Sequence, residues 1–589
     1  MPPTRSTFIR LLVSWSPGLL VSLSLCLVLL PLQPGRTAEK DKPVGVKNGL
    51  VVSVSAPASE VGRDILQKGG NAVDAAVATA FALAVTYPAA GNIGGGGFML
   101  VHPGKGEPVV IEYRETAPAA ATRTMYVGVR GTLGHKFVGV PGTVRGLALA
   151  HQRFGKLPWK DLVMPAVRLA EEGFTMDAAL ASSLNAVVAS SGEFPELRRI
   201  FGTPPRPTLS PPGGRGKGEG GGAADWKAGD RLVQKELART LRLIAEEGPD
   251  AFYKGRIAEQ IVAEMKAGGG LITKADLEGY RANIRKPIHG TYRGYDIYGP
   301  PPPSSGGICL VQMLNVLENF DLRSQGRWSP RTVHLMIEAM RRAFCDRARH
   351  LGDPDFVKIP PHLTTKEYAR ELARSINLNK ATPSEDLAGD IPLADEGDST
   401  THFSVIDATG MAVANTYTLE HSYGSRVVVR GAGFLLNNEM ADFNRTPGVT
   451  TRAGAIGTEP NQIAPGKRML SSQTPTVVAK DGKVLLVTGS PGSRTIINTV
   501  LGIVVNVIDF EMDIRAAVDA PRLHHQWFPD VVRFEGIAEH AELVKQLRAM
   551  GHKVSGTKQG DAHSIWVDPR TGLYYGAEDR RISGRAAGY

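Results

Sequence analysis

Apolar residues along this chain recur at two periods, and the change from one to the other marks out the elements. Asn48–Ser55 is a short apolar run that predicts a strand, and Glu60–Lys68 predicts a helix stopped by Gly69-Gly70. Asn71–Val85 is apolar on nearly every face and built from small residues, the pattern of a helix buried between layers. Trp159–Glu172, Val233–Glu247, Ile308–Glu318 and Val333–Leu351 show helical spacing, and residues 139 to 295 read as helical in long runs. Two strands follow, Thr401–Ile406 and Met411–Leu419, separated by Asp407-Ala-Thr-Gly410. A three-residue loop with glycine in the left-handed position makes Asp407 face Met411, which sets Thr400 opposite Thr418. Val484–Thr488 is a further strand, and Gly489–Thr495 turns into a helix over Ile496–Val507.

Composition adds limits. The 589 residues carry 42% apolar and 21% charged positions, as a soluble globular protein does. The net charge of +10 is dispersed, with no basic run and no aromatic-basic interleaving, so a nucleic-acid partner is not expected. Residues 1–38 combine Arg5 and Arg10 with an apolar stretch from Leu11 to Leu32 and resemble an export signal, which predicts a periplasmic or secreted protein. An uncleaved membrane anchor is the alternative. With Cys26 inside that segment, Cys309 and Cys345 remain and read as buried thiols. The Gly/Pro-rich tract at 202–224 cannot bury enough apolar surface to order itself and is read as a surface insertion.

Several motifs bear on chemistry. Thr400 in Ser399-Thr-Thr-His-Phe-Ser-Val-Ile-Asp407 has no obvious base beside it. Were the Ser399–Thr400 bond cut, the new α-amine, with a reference pKa of about 8, would be a base attached to the hydroxyl it must activate. An ordinary hairpin with a threonine-rich end is the plain alternative. Asn92-Ile-Gly-Gly-Gly-Gly-Phe98 lacks the Lys-Ser/Thr of a phosphate loop and reads as close backbone packing. Arg114 ends a strand, where arginine is usually at the surface. Glu439 and Asp442 would share one side of a helical turn as acid and base, metal ligands or an ammonium receptor, and no His or Cys at ligand spacing supports a transition metal. Ser471 and Ser472 offer hydroxyl donors. Gly492-Ser493 precedes a helix whose first amides favour negative charge. His524 and His525 point apart on a strand and read as structural.

From residue 45 to 589 these motifs resemble the γ-glutamyltransferase (glutathione hydrolase) family of N-terminal nucleophile hydrolases. The resemblance implies an α+β fold, a four-layer αββα sandwich, and self-cleavage before Thr400 into a large subunit (39–399) and a small one (400–589) that stay together as a heterodimer. It implies a γ-glutamyl-enzyme on Thr400, oriented by Thr418, with Gly492 and Ser493 amides on the oxyanion and neither metal nor cofactor. Arg114, Ser471 and Ser472 would hold the α-carboxylate of glutathione or a related donor, and Glu420, Glu439 and Asp442 its ammonium; water, amino acids or dipeptides would accept. Departures from the family pattern are Ser493 in place of a second glycine, Glu420 where many members have asparagine, and Ala453 where some have a tyrosine in the lid, residues 444–468. The rivals are an amidase of the same fold acting on a β-lactam side chain or poly-γ-glutamate, and a non-enzymatic or membrane-anchored scaffold.

Overall fold

The structure is a computed structural model that describes residues 45–203, 225–389, 394–395 and 401–589, with positions 43 and 391. The export segment, nearly all of the Gly/Pro-rich tract, Ser399 and Thr400 lie outside the described residues.

Two antiparallel sheets stack face to face. The first takes strands β1 (Gly49–Ser53), β2 (Gly96–His102), β3 (Val109–Glu112) and β4 (Asn283–Arg285). The second has β5 (Ile288–Tyr292) and β6 (Tyr295–Gly299). The hairpin β7 (Thr401–Asp407) and β8 (Ala412–Thr418) returns to the first, and β9 (Thr476–Lys480) and β10 (Lys483–Thr488) to the second. Finally β11 (Ser564–Val567) and β12 (Tyr574–Ala577) join the second sheet and β13 (Arg585–Gly588) the first. The orders are β13-β1-β7-β8-β2-β3-β4 and β12-β11-β10-β9-β6-β5.

Period-two alternation explains the layers. Leu50, Val52, Phe98, Leu100, Ile406 and Ala414 meet Val477, Val487 and Ile565 in a core between the sheets. Their neighbours Val51, Met99, Val101, Phe403 and Val405 point the other way, onto helices α1 (Ala56–Gln67) and α2 (Ala72–Thr86). Ile297, Val478 and Leu486 face α3 (Gly306–Leu317), α4 (Pro330–His350) and α5 (Thr495–Ile508). Helix, sheet, sheet, helix is the αββα sandwich expected from the sequence. Every residue of α2 is buried, as its all-round apolar pattern requires, and Asn71 and Asp74 close its first turn as a capping box.

One sequence expectation changes and one is met. Within residues 139 to 295, read as helical in long runs, the stretch from 283 onward forms strands β4 and β5 and the start of β6. The glycine run flows into β2, where backbone approach dictates its composition: a Cβ on Gly94 would lie 2.1 Å from the Leu435 carbonyl, and one on Gly95 2.0 Å from that of Thr418. Cys309 and Cys345 are free and buried as expected, and burial pushes both thiols up to about 12.

Candidate active site

The β7–β8 hairpin has the register the loop length demands. Thr401 pairs with Tyr417 and Ile406 with Ala412. Asp407 builds the turn: its Oδ1 accepts from the Thr409 N–H (2.8 Å) and hydroxyl (2.6 Å), and Gly410 takes φ +80°. Its Oδ2 accepts from the Ala72 N–H at 2.9 Å, fixing the hairpin to the start of α2. Thr418, next along β8 from the partner of Thr401, accepts the Glu420 N–H on its hydroxyl at 2.8 Å.

Beyond this end of the hairpin opens a polar cleft. Arg114, Thr418, Glu420, Glu439, Asp442, Ser471, Ser472 and Ser493 all line it, although they come from five separate stretches of chain. Gly492 precedes Ser493 in the loop at its edge.

Arg114 is 1% exposed. It is no strand-end surface residue, and it is no free fork either: Nη1 lies 2.6 Å from Glu439 Oε2, Nη2 pairs with Asp442, and Nε donates to the Met469 carbonyl at 3.3 Å. The sequence reading set Arg114 opposite the acids. The structure sets it among them, because the one-turn helix Glu439–Asp442 presents both carboxylates to the guanidinium. Burial works against the arginine's charge, but Glu439, Asp442 and Glu115 outweigh it and raise its pKa.

The acids outnumber this cation. Glu115, adjacent to Arg114 and fully buried, has no hydrogen-bond partner on either oxygen, and burial, offset in part by Arg114, pushes it up to about 8. Burial likewise drives Glu439 well above the carboxylate range against the pull of Arg114, with Glu115, Asp442 and Glu420 adding to the rise. Glu420 accepts from Asn438 Nδ2 (3.0 Å) and contacts His421 Nδ1 (2.6 Å). Its backbone is left-handed, φ +78°, a conformation that costs a non-glycine residue about 1–3 kcal/mol and aims its carboxylate at the cleft. Three acid groups, Glu115, Glu439 and Asp442, surround the one guanidinium, with Glu420 acting on Glu439, and the raised pKa values of Glu115 and Glu439 mark a corner short of positive charge.

Also lining the cleft, Ser471 Oγ accepts from the Gln473 N–H at 3.1 Å and Ser472 Oγ from Arg347 Nη2 at 3.0 Å. With lone pairs engaged, each hydroxyl has its hydrogen to give, so both serines are set as donors. Residues 303–305 carry this loop: Ser471 N–H donates to the Pro303 carbonyl, and Ser305 donates through N–H and Oγ to the Ser471 carbonyl, at 2.7–2.8 Å.

Gly492 (φ +119°) and Ser493 (φ +48°) form the turn before α5. Ser493 therefore does adopt the left-handed dihedral that a second glycine would take freely, at about 1–2 kcal/mol. The N–H groups of Thr495 and Ile496 turn back to the carbonyls of Gly492 and Ser493, and no described backbone carbonyl accepts from the Gly492 or Ser493 N–H.

The lid segment 444–468 reaches the cleft through Asn444, Ile456 and Asn461, while Ala453 sits in a turn closed by Gly454 N–H to the Thr451 carbonyl. Arg494 Nη1 donates to the Gly454 carbonyl at 2.7 Å. Sequence reasoning missed Glu115, Arg347, Asn438, Asn461, Arg494 and Ile456. Arg347 left a trace, a charge within the otherwise apolar register of α4. Among the described residues one group has metal-ligand spacing, His334, Glu338 and His552, but Glu338 is taken by Arg341 and Arg342. His524 and His525 are buried, and burial lowers them to about 3 and about 4.

The γ-glutamyltranspeptidase family model ("Gamma-glutamyltranspeptidase") matches residues 58–589. The glutathione hydrolase proenzyme of Escherichia coli (strain K12) is 46% identical over 575 residues, 95% of each chain. Among solved structures, Helicobacter pylori gamma-glutamyltranspeptidase matches with TM-score 0.53 and 41% identity over 58% of this chain and 95% of its own. Cephalosporin acylase from Bacillus halodurans matches with TM-score 0.79 and 28% identity over 95% and 98%. With the family model spanning nine-tenths of the sequence and a relative of this identity aligned end to end, the chain belongs to the gamma-glutamyltranspeptidase family.

Proposed function

We propose that this protein is a self-processing γ-glutamyl amide hydrolase and transferase acting on glutathione and related donors. The observation that carries the reading is the polarity of the cleft, with surplus carboxylates at Glu420, Glu439 and Asp442 and hydroxyl donors at Ser471 and Ser472. A free α-amino acid end has the complementary charges. Its ammonium settles among the three acids. Its carboxylate takes the two serine hydroxyls and shares the Arg114 guanidinium with Asp442, which at 30% side-chain exposure is the partner able to yield.

The precursor is cut between Ser399 and Thr400 into 39–399 and 400–589, which remain associated. The freed amine of Thr400 takes the proton of its own hydroxyl as that oxygen attacks the γ-carbonyl, and the same proton passes to the leaving amine. Thr418 orients the nucleophile, and the Gly492 and Ser493 N–H groups hold the oxyanion. The γ-glutamyl ester then passes to water, an amino acid or a dipeptide. Residues 1–38 direct export; among the described residues no helix is long and apolar enough to cross a membrane.

An amidase acting on a β-lactam side chain is the second reading, drawn from the likeness to cephalosporin acylase. It leaves the surplus of acids without a cation to meet. Incubation with γ-glutamyl-p-nitroanilide, with and without glycylglycine, tests the proposal. Release of p-nitroaniline and formation of γ-glutamyl-glycylglycine are expected, and processed protein that does neither overturns it.

A further inference from the structure

The γ-glutamyl cleft does not end at its acids. Glu420, Asp442 and Ile456 line it and also line a second, roomier cavity of about 250 Å³. That is close to the lower end of small-molecule sites, about 300–1,000 Å³. The junction lies near the place of the nucleophile: the Glu420 N–H is held by the hydroxyl of Thr418, one step along the ladder from the Thr401–Tyr417 pair.

The walls of the second cavity say what chemistry fits it. Arg445, from the lid segment, lines it and lies outside the γ-glutamyl cleft. Its guanidinium is 5.4 Å from the centre of the Phe137 ring and 5.8 Å from that of Tyr126, two rings stacked 4.5 Å apart, and Nη2 donates to the Val129 carbonyl at 2.7 Å. Aromatic bed and carbonyl fix the head group in position. Among the described residues Nη1 makes no hydrogen bond and no carboxylate pairs with Arg445, so a half-buried, positioned cation faces the cavity with capacity for an anion. Val129 and Val449, 42% and 44% exposed, leave apolar surface on the same wall. Acids at the junction and a cation beyond it give the cavity both signs of charge. A free amino acid or dipeptide carries both in the complementary sense, an amine to reach the acyl-enzyme and a carboxylate to meet Arg445. An uncharged amine has no use for the arginine.

We propose, resting on the γ-glutamyl reading above, that this cavity is the acceptor subsite, and that it selects dipeptides with a free carboxylate on Arg445 and an apolar side chain against Val129 and Val449. The acceptor's neutral amine attacks the γ-glutamyl ester; a C–N bond forms, the C–O bond to Thr400 breaks, and the amine proton returns to the Thr400 oxygen. Transfer from γ-glutamyl-p-nitroanilide is measured with glycyl-leucine and with glycyl-leucinamide, which lacks only the carboxylate. Wild type should show the lower KM for glycyl-leucine. Arg445→Gln should raise that KM at least about tenfold, the loss of a charge-assisted contact, and move the KM of the amide less than about threefold. Thr446→Trp, at an exposed position on the cavity wall, obstructs the space and should raise both; it decides the matter if Arg445→Gln does not fold. Acceptor KM values unchanged in both variants, equal rises on the two acceptors in Arg445→Gln, or no preference for the free carboxylate in wild type overturn the subsite while hydrolysis of the donor stands. Processed wild-type protein that does not hydrolyse the donor overturns the γ-glutamyl reading and the subsite with it.

Discussion

Replacing Asp442 with asparagine isolates the ammonium contact from the stability of the site. The Asp442 side chain is 30% exposed and Arg114 keeps Glu439 at 2.6 Å, so the fold loses a partly solvated pair, about 1 kcal/mol or less. Substrate loses more. A hydrogen bond to a charged group is worth about 1.5–3 kcal/mol, which at about 1.36 kcal/mol per decade is about 10- to 150-fold in kcat/KM. One effect opposes this: facing a neutral amide instead of a carboxylate, Arg114 is less occupied and better able to meet the substrate carboxylate, which favours the lower half of that range. The assay compares γ-glutamyl-p-nitroanilide with glutaryl-p-nitroanilide, which keeps the carboxylate and lacks only the α-amino group. Asp442→Asn should depress kcat/KM for the first and leave the second within about threefold, with processing and Tm near wild type. Equal losses on both substrates would show that Asp442 does not read the ammonium.

Other expectations follow from the same geometry. Thr400→Ala should remain a single chain on denaturing gels; appearance of the 400–589 fragment in that variant would refute self-cleavage by Thr400. Glu115 holds its proton in the folded state up to about pH 8, while the unfolded chain releases it above the ordinary carboxylate pKa, so its contribution to stability falls as pH rises through that window. Glu115→Gln should therefore gain Tm over wild type progressively from about pH 5 to about pH 8, and a pH-independent difference would contradict the assignment. With Ala453 in a turn and Ile456 as the lid's apolar contact, the acyl-enzyme should admit water, giving measurable p-nitroaniline release without glycylglycine; negligible release until the acceptor is added would count against an open lid.

Much of the architecture was legible because it rests on local pattern. The alternation in β7 and the all-apolar helix α2 each specify a layer, and the loop Ala408-Thr409-Gly410 specifies the hairpin register. Strands β4 to β6 were not legible, since strands of three to five residues with polar positions among them carry little periodicity. For the site, resemblance supplied the residues that converge on the cleft. It did not supply their electrostatics: whether Arg114 faces the acids or sits among them depends on the path of Glu439–Asp442, which no spacing rule encodes. Arg347 and Asn461 act on other residues through loops distant in sequence, Asn461 by donating to the Asp442 carbonyl at 2.6 Å. Nothing local marks such residues.

The strand orders carry a mechanical consequence for a chain cut between Ser399 and Thr400. In the first sheet, β1 from before the break lies between β13 and β7, both from after it; in the second, β9 from after the break is zipped to β6 from before it. The two pieces are shuffled like cards from two hands, so no surface exists along which they can be peeled apart. Severing one peptide bond frees a new chain end without freeing a subunit. Exchange of small fragments between molecules would require tearing ladders in both sheets, which makes a matched pair of fragments, once cut, a partnership for the lifetime of the fold.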